Sequence, residues 1–320
     1  MRKALRILLI LSLSVLTALL CESAVTHIRM RRSLSGTLFV QCSGCGWKLY
    51  DWDKNTLREI PNITDDSILS MTDAGDGKVW ITTKSDADDF AVALWDQSEI
   101  LYEIPLSTKP LAVRTYQNGV LLMQKKESDA IMQYKQQNIK ITADCAEIIY
   151  YDQTGSTSVM AECGYDVLNP DAFFVSQTTA FTFLKPSYFV ETDVLDTSAS
   201  LECYKDTLCV YENGVVRELS MEAKTDGLRG NADTILAFKE GALYSFSLQS
   251  GAYHILARNV GYQNGIVSPD GRYYLYERLH GLTLERHDTY LLELRAGKKA
   301  RLSGIQNEGA NGFDYCWASE

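Results

Sequence analysis

Residues 41–53 read QCSGCGWKLYDWD and contain the most obvious candidate for chemistry in this chain. Cys42 and Cys45 form a Cys-x-x-Cys pair, which in a cytosolic protein indicates a redox centre or half of a zinc site. A zinc site built from these two and Cys316 would need a fourth ligand, and no nearby histidine offers one. The compartment of the chain therefore decides how the pair is interpreted.

Other groupings that could support catalysis are weak. The chain has no His-x-x-x-His pair, no P-loop and no Gly-x-Gly-x-x-Gly stretch. Its acidic pairs, such as Asp65-Asp66 and Asp88-Asp89, lie in polar segments that are typical of solvated loops. We therefore predict no catalytic, cofactor-binding or metal-binding residue, and we interpret the four histidines as structural: His27, His254, His280 and His287.

Aromatic residues offer a second candidate site, because tryptophans can line a sugar-binding face. Strand-rich proteins also use them to pack one sheet against another, and we predict this packing role here. The five tryptophans are Trp47, Trp52, Trp80, Trp95 and Trp317.

The N-terminus predicts the compartment. A basic start, MRKALR, precedes an uncharged apolar run from Ile7 to Leu20, the layout of a secretory signal. The run is short for a membrane span, which needs about 20 apolar residues. A cleaved signal, a retained anchor and lipidation at Cys21 stay open. We predict a signal or anchor helix over 1–23, a basic linker over 24–34 and one domain over 35–320, located outside the cytoplasm.

Composition excludes some partners. Hydrophobic residues make up 46% of the chain, enough for a large core, and the formal net charge is −10. Loss of residues 1–23 would remove three positive groups and Glu22 and leave a net charge of −12. Nucleic-acid binding needs clustered Lys and Arg, so we predict no nucleic-acid partner.

A repeated hairpin pattern predicts the fold. Apolar and polar residues alternate with period two, and Asn-Gly or similar turns join the strands. Seven hairpins recur about every 40 residues, each preceded by another hairpin, which is typical of four-stranded propeller blades. The seven segments are KLYDWDKNTLREI, VALWDQSEILYEI, IMQYKQQNIKIT, FFVSQTTAFTFL, LCVYENGVVREL, LYSFSLQSGAYHIL and LLELRAGKKARL.

The two chain ends predict how the ring closes. The first block supplies only three strands, and FDYCWAS near the C-terminus is one extra strand. We therefore predict an all-β propeller, of seven blades, in which this last strand is the innermost strand of the first blade. Six blades remain an alternative in which one of the seven hairpins is an insertion. CSGC would then be the turn between the second and third strands of the first blade.

Two segments carry a family resemblance. SPDGRYYLYE (268–277) is similar to the Ser-Pro-Asp-Gly turn of TolB-like and WD-repeat-like β-propellers. DAGDGKVWITT (73–83) resembles a related blade turn of sensor-type propellers. The resemblance implies a fold and carries no function with it.

Seven cysteines would remain after a cut at Ser23, and in an exported protein they are disulfide candidates. A hairpin loop over 153–155 would set Cys145 opposite Cys163, and a turn at Asp206 would set Cys203 opposite Cys209. Cys316 on the closing strand would bond to Cys42 and lock the ring. The rival pair is Cys42–Cys45.

Two functions fit this pattern. The first is an exported, non-catalytic binding or scaffold module with a protein, peptide or envelope-glycan partner, held at the membrane through its N-terminal segment. The second is a propeller enzyme, a hydrolase or lyase, with carboxylates at the mouth of the channel. We expect binding rather than catalysis, at the face where connecting loops converge.

Overall fold

The computed structural model describes most of the predicted domain and little of the N-terminal segment. Within the described residues, no helix has the length and apolar character needed to cross a bilayer. The predicted signal or anchor over 1–23 lies outside them apart from Ser14 and Thr17, so it stays a prediction. The described residues are 14, 17, 25, 30, 34–42, 46–60, 67–85, 87, 89–134, 137–164, 174–176, 180–185, 207–218, 227–231, 234–239, 242–246, 253–258, 265–280, 286–308 and 314–320.

The described strands form six four-stranded antiparallel sheets, which we number as blades 1–6 in chain order. Blade 1 holds, from its inner to its outer edge, β24 (Asp314–Ala318), β1 (Thr37–Cys42), β2 (Gly46–Asp51) and β3 (Thr56–Glu59). Blade 2 holds β4 (Ile68–Gly75), β5 (Lys78–Lys84), β6 (Phe90–Trp95) and β7 (Ile100–Leu106). Blade 3 holds β8 (Ala112–Tyr116), β9 (Gly119–Tyr134), β10 (Gln137–Tyr151) and β11 (Thr157–Gly164).

The remaining three blades follow the same order from inner to outer strand. Blade 4 holds β12 (Phe174–Ser176), β13 (Ala180–Lys185), β14 (Thr207–Glu212) and β15 (Val215–Glu218). Blade 5 holds β16 (Gly227–Asn231), β17 (Thr234–Lys239), β18 (Ala242–Phe246) and β19 (Tyr253–Arg258). Blade 6 holds β20 (Ile266–Val267), β21 (Tyr273–His280), β22 (Arg286–Glu293) and β23 (Lys299–Glu308).

The inner strands close into a ring. Contacts run from β24 to β4, β8, β12, β16 and β20, and from β20 back to β24. Each sheet thus has a neighbour on both sides, and its two faces are covered while only short outer edges remain exposed. The predicted all-β propeller is confirmed, and its closure by the C-terminal strand in the first blade is confirmed by the pairing of β24 with β1.

The period-two sequence pattern arises because both faces of a blade are buried. Leu38 and Val40 on β1 pack with blade 6, whereas Phe39 between them packs with blade 2. In blade 3, Leu121 packs towards blade 4 and Leu122 towards blade 2. Each buried side chain of this size stabilises the fold by about 1.5–3 kcal/mol. Blade packing is therefore the main stabilising contact of the ring.

The predicted count of seven blades is wrong. IMQYKQQNIKIT, interpreted as the outer hairpin of a separate blade, is the far end of the β9–β10 hairpin of blade 3. FFVSQTTAFTFL forms β12 and β13, the first hairpin of blade 4 instead of an outer one. Strand alternation is the same inside a blade and in a hairpin that extends beyond it, so the pattern counted one blade too many.

The Ser-Pro-Asp-Gly segment forms a turn that its own side chains stabilise. The Ser268 hydroxyl donates to Asp270 Oδ1 at 2.6 Å and accepts the backbone N–H of Tyr273 at 2.9 Å. Asp270 Oδ1 also accepts the backbone N–H of Arg272 at 3.1 Å. The motif therefore joins the first two strands of blade 6, as the sequence predicted for a blade turn.

The closing strand is held by hydrogen bonds beyond its ladder with β1. Asp73 Oδ1, at the end of β4, accepts the backbone N–H of Ser319 at 3.0 Å and its hydroxyl at 3.1 Å. The backbone N–H of Gly77 donates to the carbonyl of Ser319 at 2.9 Å. These bonds join the residue after β24 to blade 2, so the C-terminus is bonded to blade 2 as well as to blade 1.

Candidate functional site

The ring has two chemically different ends. Hairpin turns between first and second strands, and between third and fourth strands, lie at one end, which we call the turn face. Connections between second and third strands, and between blades, join strand ends at the opposite end, which we call the loop face. Several long connections of the loop face, including 165–173 and 186–206, lie outside the described residues.

The β9–β10 hairpin of blade 3 is the main described feature of the loop face. Its paired rows continue past the blade from Glu127↔Asp144 to Tyr134↔Gln137. β8 pairs with β9 only as far as Met123, and β11 pairs with β10 only as far as Cys145. We call residues 127–144 the arm. At about 3.4 Å per residue its eight rows extend about 27 Å from the ring.

The register of the arm separates its residue types onto two faces. Positions 128, 130, 132, 134, 137, 139, 141 and 143 share the register face of Val120 and Leu122, and they carry Ser, Ala, Met, Tyr, Gln, Ile, Ile and Ala. The opposite face carries mostly polar and charged residues, at positions 127, 129, 131, 133, 138, 140, 142 and 144. The arm is therefore an amphipathic two-stranded ribbon, whose outer edges pair with no described strand.

The base of the arm is anchored in the blade. Ala146 and Ile148 on β10 are fully buried and pack with Leu121 of β9 in the cluster between blades 3 and 4. Lys126 forms an ion pair with Glu147 across the two strands where the arm begins. The blade thus sets the direction in which the arm leaves the ring.

In blades 1, 2 and 3, the turn between the third and fourth strands contains an aspartate whose carboxylate accepts hydrogen bonds within that turn. Asp96 Oδ1 accepts the hydroxyl of Ser98 at 2.7 Å and the backbone N–H groups of Ser98 and Glu99, both at 2.9 Å. The Ser98 hydroxyl is the main cause that lowers the pKa of Asp96 to about 2. The Thr154 hydroxyl likewise lowers the pKa of Asp152.

Asp51 in the β2–β3 turn repeats this arrangement. Its Oδ1 accepts the backbone N–H groups of Lys54 at 3.0 Å and Asp53 at 3.1 Å. The bond from Lys54 is the largest cause that lowers the pKa of Asp51. These carboxylates stay ionised and satisfied within their turns, which suits a structural role better than proton transfer.

The aromatic residues lie in the seams between blades. Trp47, Trp80, Trp95 and Trp317 are at most 4% exposed, and Trp52 is half-buried. They therefore pack blades together, as the sequence analysis predicted.

Tyrosines have the same role between blades 5 and 6. Tyr276 stacks on Tyr274 and on Tyr290, each with ring centroids 5.7 Å apart. Burial is the main cause that raises the pKa of Tyr276 to about 12. The phenol therefore stays protonated at physiological pH and serves packing.

A buried polar group in blade 6 was missed by the sequence analysis. Asp288 is 4% exposed and accepts Nη2 of Arg301 at 2.6 Å. The hydroxyl of Thr289 lies 3.1 Å from that of Tyr315 on β24, so this contact joins blade 6 to the closing strand. Asp288 and Thr289 do not interrupt the strand alternation, which is why the pattern did not reveal them.

Within the described part of the chain, no cluster of three His, Cys, Asp or Glu side chains could hold a metal ion.

In the structure the predicted partners Cys145 and Cys163 are one residue out of register. β10 and β11 pair Cys145 with Gly164 and Cys163 with Ala146. Near the turn the register is the predicted one, with Ile149 opposite Val159, but a bulge at Ile148/Ile149 shifts it by one residue. The two cysteines therefore do not stand directly opposite each other.

The Cys42–Cys316 bond is not formed in the structure. Cys316 is a buried free thiol opposite Phe39, and Cys42 lies three residues further along β1, opposite Gly46. Cys45 and Cys203 lie outside the described residues, so the Cys42–Cys45 and Cys203–Cys209 pairs stay predictions. CSGC does connect the second and third strands of blade 1, as predicted.

Comparisons with known proteins identify the fold and no closer relationship. No family model matches the chain, and no curated protein sequence matches it. TolB from Acinetobacter baumannii is 15% identical with a TM-score of 0.57, over 89% of this chain and 67% of that one. A second structure, assigned to TolB of Agrobacterium tumefaciens, is 10% identical with a TM-score of 0.50, over 87% and 91%. The fold is similar to that of TolB-like propellers.

This similarity confirms the resemblance drawn from the two blade-turn segments. At such low identity it shows the fold alone and assigns no activity. An apocarotenoid oxygenase from Synechocystis is also similar, at 10% identity and a TM-score of 0.47 over 88% of this chain and 72% of that one. That likeness is too weak to carry an argument about function.

Proposed function

We propose that this chain is a non-catalytic binding module that recruits a protein partner through the arm on its loop face. The single observation that carries the proposal is the extension of β9 and β10 beyond blade 3 as an amphipathic ribbon. The rows of this ribbon lie beyond the pairing of β8 and β11 with blade 3, so its apolar residue types come with two edges that no described strand pairs. Extended segments of other proteins bind to edges of this kind through backbone hydrogen bonds.

A protein partner fits better than a glycan. Sugar-binding faces depend on exposed aromatic rings, whereas the tryptophans here lie in the seams between blades. Apolar positions and strand edges favour a polypeptide that pairs with the arm and covers its apolar side.

We place the protein outside the cytoplasm, held at the membrane or released there after signal cleavage. The support is the basic and apolar layout of residues 1–20, together with the eight cysteines of the chain as disulfide candidates. The acidic chain, with a net charge of −10, agrees with a protein partner and not with nucleic acid.

An armless variant tests the proposal. Lys126 stands directly opposite Cys145, so residues 127–144 can be replaced by a two-residue Asn-Gly turn that keeps the rest of blade 3. Wild-type and armless chains are exported with a C-terminal affinity tag, cross-linked in intact cells and captured. We expect one or more proteins to be cross-linked to wild type and lost from the armless chain.

Controls separate loss of binding from loss of fold. The armless chain should keep the thermal unfolding midpoint of wild type within a few degrees, because the replacement retains the buried residues at the base of the arm, Ala146 and Ile148. An unchanged set of captured proteins would contradict the proposal. Release of soluble sugars from envelope glycan by the purified ring would favour the propeller enzyme instead.

A further inference from the structure

One side of blade 6 faces blade 5 and carries both aromatic and cationic residues. Tyr276 on β21 and Leu292 on β22 pack there with Leu236 and Leu243 of blade 5. Successive residues of a strand point to opposite sides of its sheet. Every second residue of β21 and β22 therefore belongs to the side that blade 5 covers.

Three exposed cations belong to this side, and we call them the cationic cluster. Arg278 lies two residues beyond Tyr276 on β21. The ladder between β22 and β23 sets Lys299 opposite Leu292, and it sets Arg301 opposite the preceding residue of β22 on the same side. The cluster therefore lies where the outer part of blade 6 meets blade 5, and water reaches all three side chains.

The cationic cluster contains more donors than acceptors. Asp288, whose side chain is 5% exposed, accepts Nη2 of Arg301 at 2.6 Å and so fixes the position of that guanidinium. Nζ of Lys299 donates to the backbone carbonyl of Arg258 in blade 5 at 3.3 Å. Arg278 forms no ion pair within the described part of the chain. Several N–H donors of the cluster can therefore bind a ligand.

The charges of the cluster act on one another. Burial lowers the pKa of Lys299, and the positive charge of Arg278 lowers it further. Burial raises the pKa of Tyr276, whereas the Arg278 guanidinium opposes that rise. Among the described residues of this side, three cations against the one carboxylate of Asp288 leave a net charge of +2. This excess is contrary to the overall charge of the chain, which is −10.

We propose that the cationic cluster binds a phosphate monoester between blades 5 and 6. A monoester carries close to two negative charges at neutral pH, which balances the excess charge of this side. Each guanidinium presents pairs of N–H groups that match two phosphate oxygens, and the Lys299 ammonium adds a point charge. A carboxylate or a phosphodiester carries a single charge and would balance half of the excess. The site is separate from the arm and does not depend on the partner that the arm binds.

Titration with two small esters tests the site. Methyl phosphate supplies the doubly charged monoester and dimethyl phosphate the singly charged diester. Isothermal titration calorimetry of the full chain at constant ionic strength measures the affinity for each. We expect saturable binding of methyl phosphate and binding of dimethyl phosphate that is weaker by about tenfold, since the diester loses one charged acceptor oxygen.

Matched variants of blade 6 locate the binding. Arg278→Gln and Lys299→Gln should each weaken the binding of methyl phosphate by about tenfold, because each removes one charge-assisted contact. Arg295→Gln removes the same charge from the exposed β22–β23 turn and should bind as wild type does. All three positions are exposed, so the thermal unfolding midpoint should stay at the wild-type value and show that the fold is kept.

Several results would overturn the proposal: no saturable binding, equal affinity for the two esters, or equal weakening in all three variants. Vesicles of phosphatidylcholine with phosphatidate, whose headgroup is a monoester, identify the source of the phosphate. Vesicle binding that methyl phosphate competes away assigns the group to a lipid. Binding of methyl phosphate without vesicle binding assigns it to a soluble or polymeric ester, and both results support the site. The armless chain should bind methyl phosphate as wild type does.

Discussion

At the scale of single residues, the acidic side chains of the turn face act as caps. Asp51, Asp96 and Asp152 stand at equivalent places in blades 1, 2 and 3, and each accepts backbone N–H groups two to four residues later. Aspartate is frequent in turns because its short side chain can reach these backbone donors. Sequence alone could not separate such caps from catalytic carboxylates, since both are polar residues in loops.

Asp96→Asn should flatten the acid dependence of stability. The folded pKa of about 2 lies below the ordinary value of 3.8, so the carboxylate stabilises the fold above pH 4. That contribution is lost as the pH falls through 2, and the neutral amide has none to lose. Urea unfolding between pH 6 and pH 2 measures it, with Asp53→Asn as an exposed control. Parallel pH curves for wild type and Asp96→Asn would contradict the assignment.

Cys316 should be an unreactive free thiol in the folded protein. Burial is the main cause that raises its pKa, and the nearby Asp73 carboxylate raises it further, so little thiolate forms. We expect a thiol reagent to label Cys316 only in denaturant, and peptide mapping without reduction to recover it unbridged. Its recovery in a disulfide with Cys42 would restore the covalent lock that the sequence predicted.

At the scale of elements, the closing strand β24 and the residues just before β1 meet at one tight contact. Gly36 has φ +86°, and a Cβ built there would lie 2.3 Å from the carbonyl oxygen of Ala318. Only glycine allows the two chain ends to approach this closely. Closure of the ring should therefore be sensitive to a side chain as small as a methyl group at position 36.

Gly36→Ala should destabilise the ring far more than Gly297→Ala. Both positions have positive φ, but nothing lies within 4 Å of a Cβ at Gly297. The strained backbone costs each variant about 1–2 kcal/mol, and the clash with Ala318 adds about 1–3 kcal/mol for Gly36→Ala alone. Chemical unfolding measures both. Equal losses would show that Ala318 does not restrict this position.

Strand elements were predictable where local chemistry defines them. The Ser-Pro-Asp-Gly turn and the Asn213-Gly214 turn, with φ of 50° and 84°, were read from residue type alone. The one-residue offset at Cys145 was not, because a bulge at Ile148/Ile149 leaves the apolar alternation intact. Register depends on pairing with another strand, which a local pattern does not contain.

At the scale of the whole molecule, closure by the C-terminal strand was predictable and the number of blades was not. The first block lacks one strand and the C-terminus supplies one extra strand, so the sequence predicts that the two ends of the chain pair in one blade. The arm was counted as a separate blade because its apolar and polar residues alternate as they do in a blade strand. Its buried base and its extension past β8 and β11 become evident only once the strands are paired.

Charge placed on one row of the arm at a time is the sharpest test of partner binding. Met132 and Ile139 form a cross-strand row on the apolar face, and Gln133 and Asn138 form the adjacent row on the other face. We expect Met132→Lys with Ile139→Lys to lose the cross-linked partner, and Gln133→Lys with Asn138→Lys to retain it. Both pairs add the same charge at the same distance from the ring. Equal capture by the two variants would contradict a partner-binding arm.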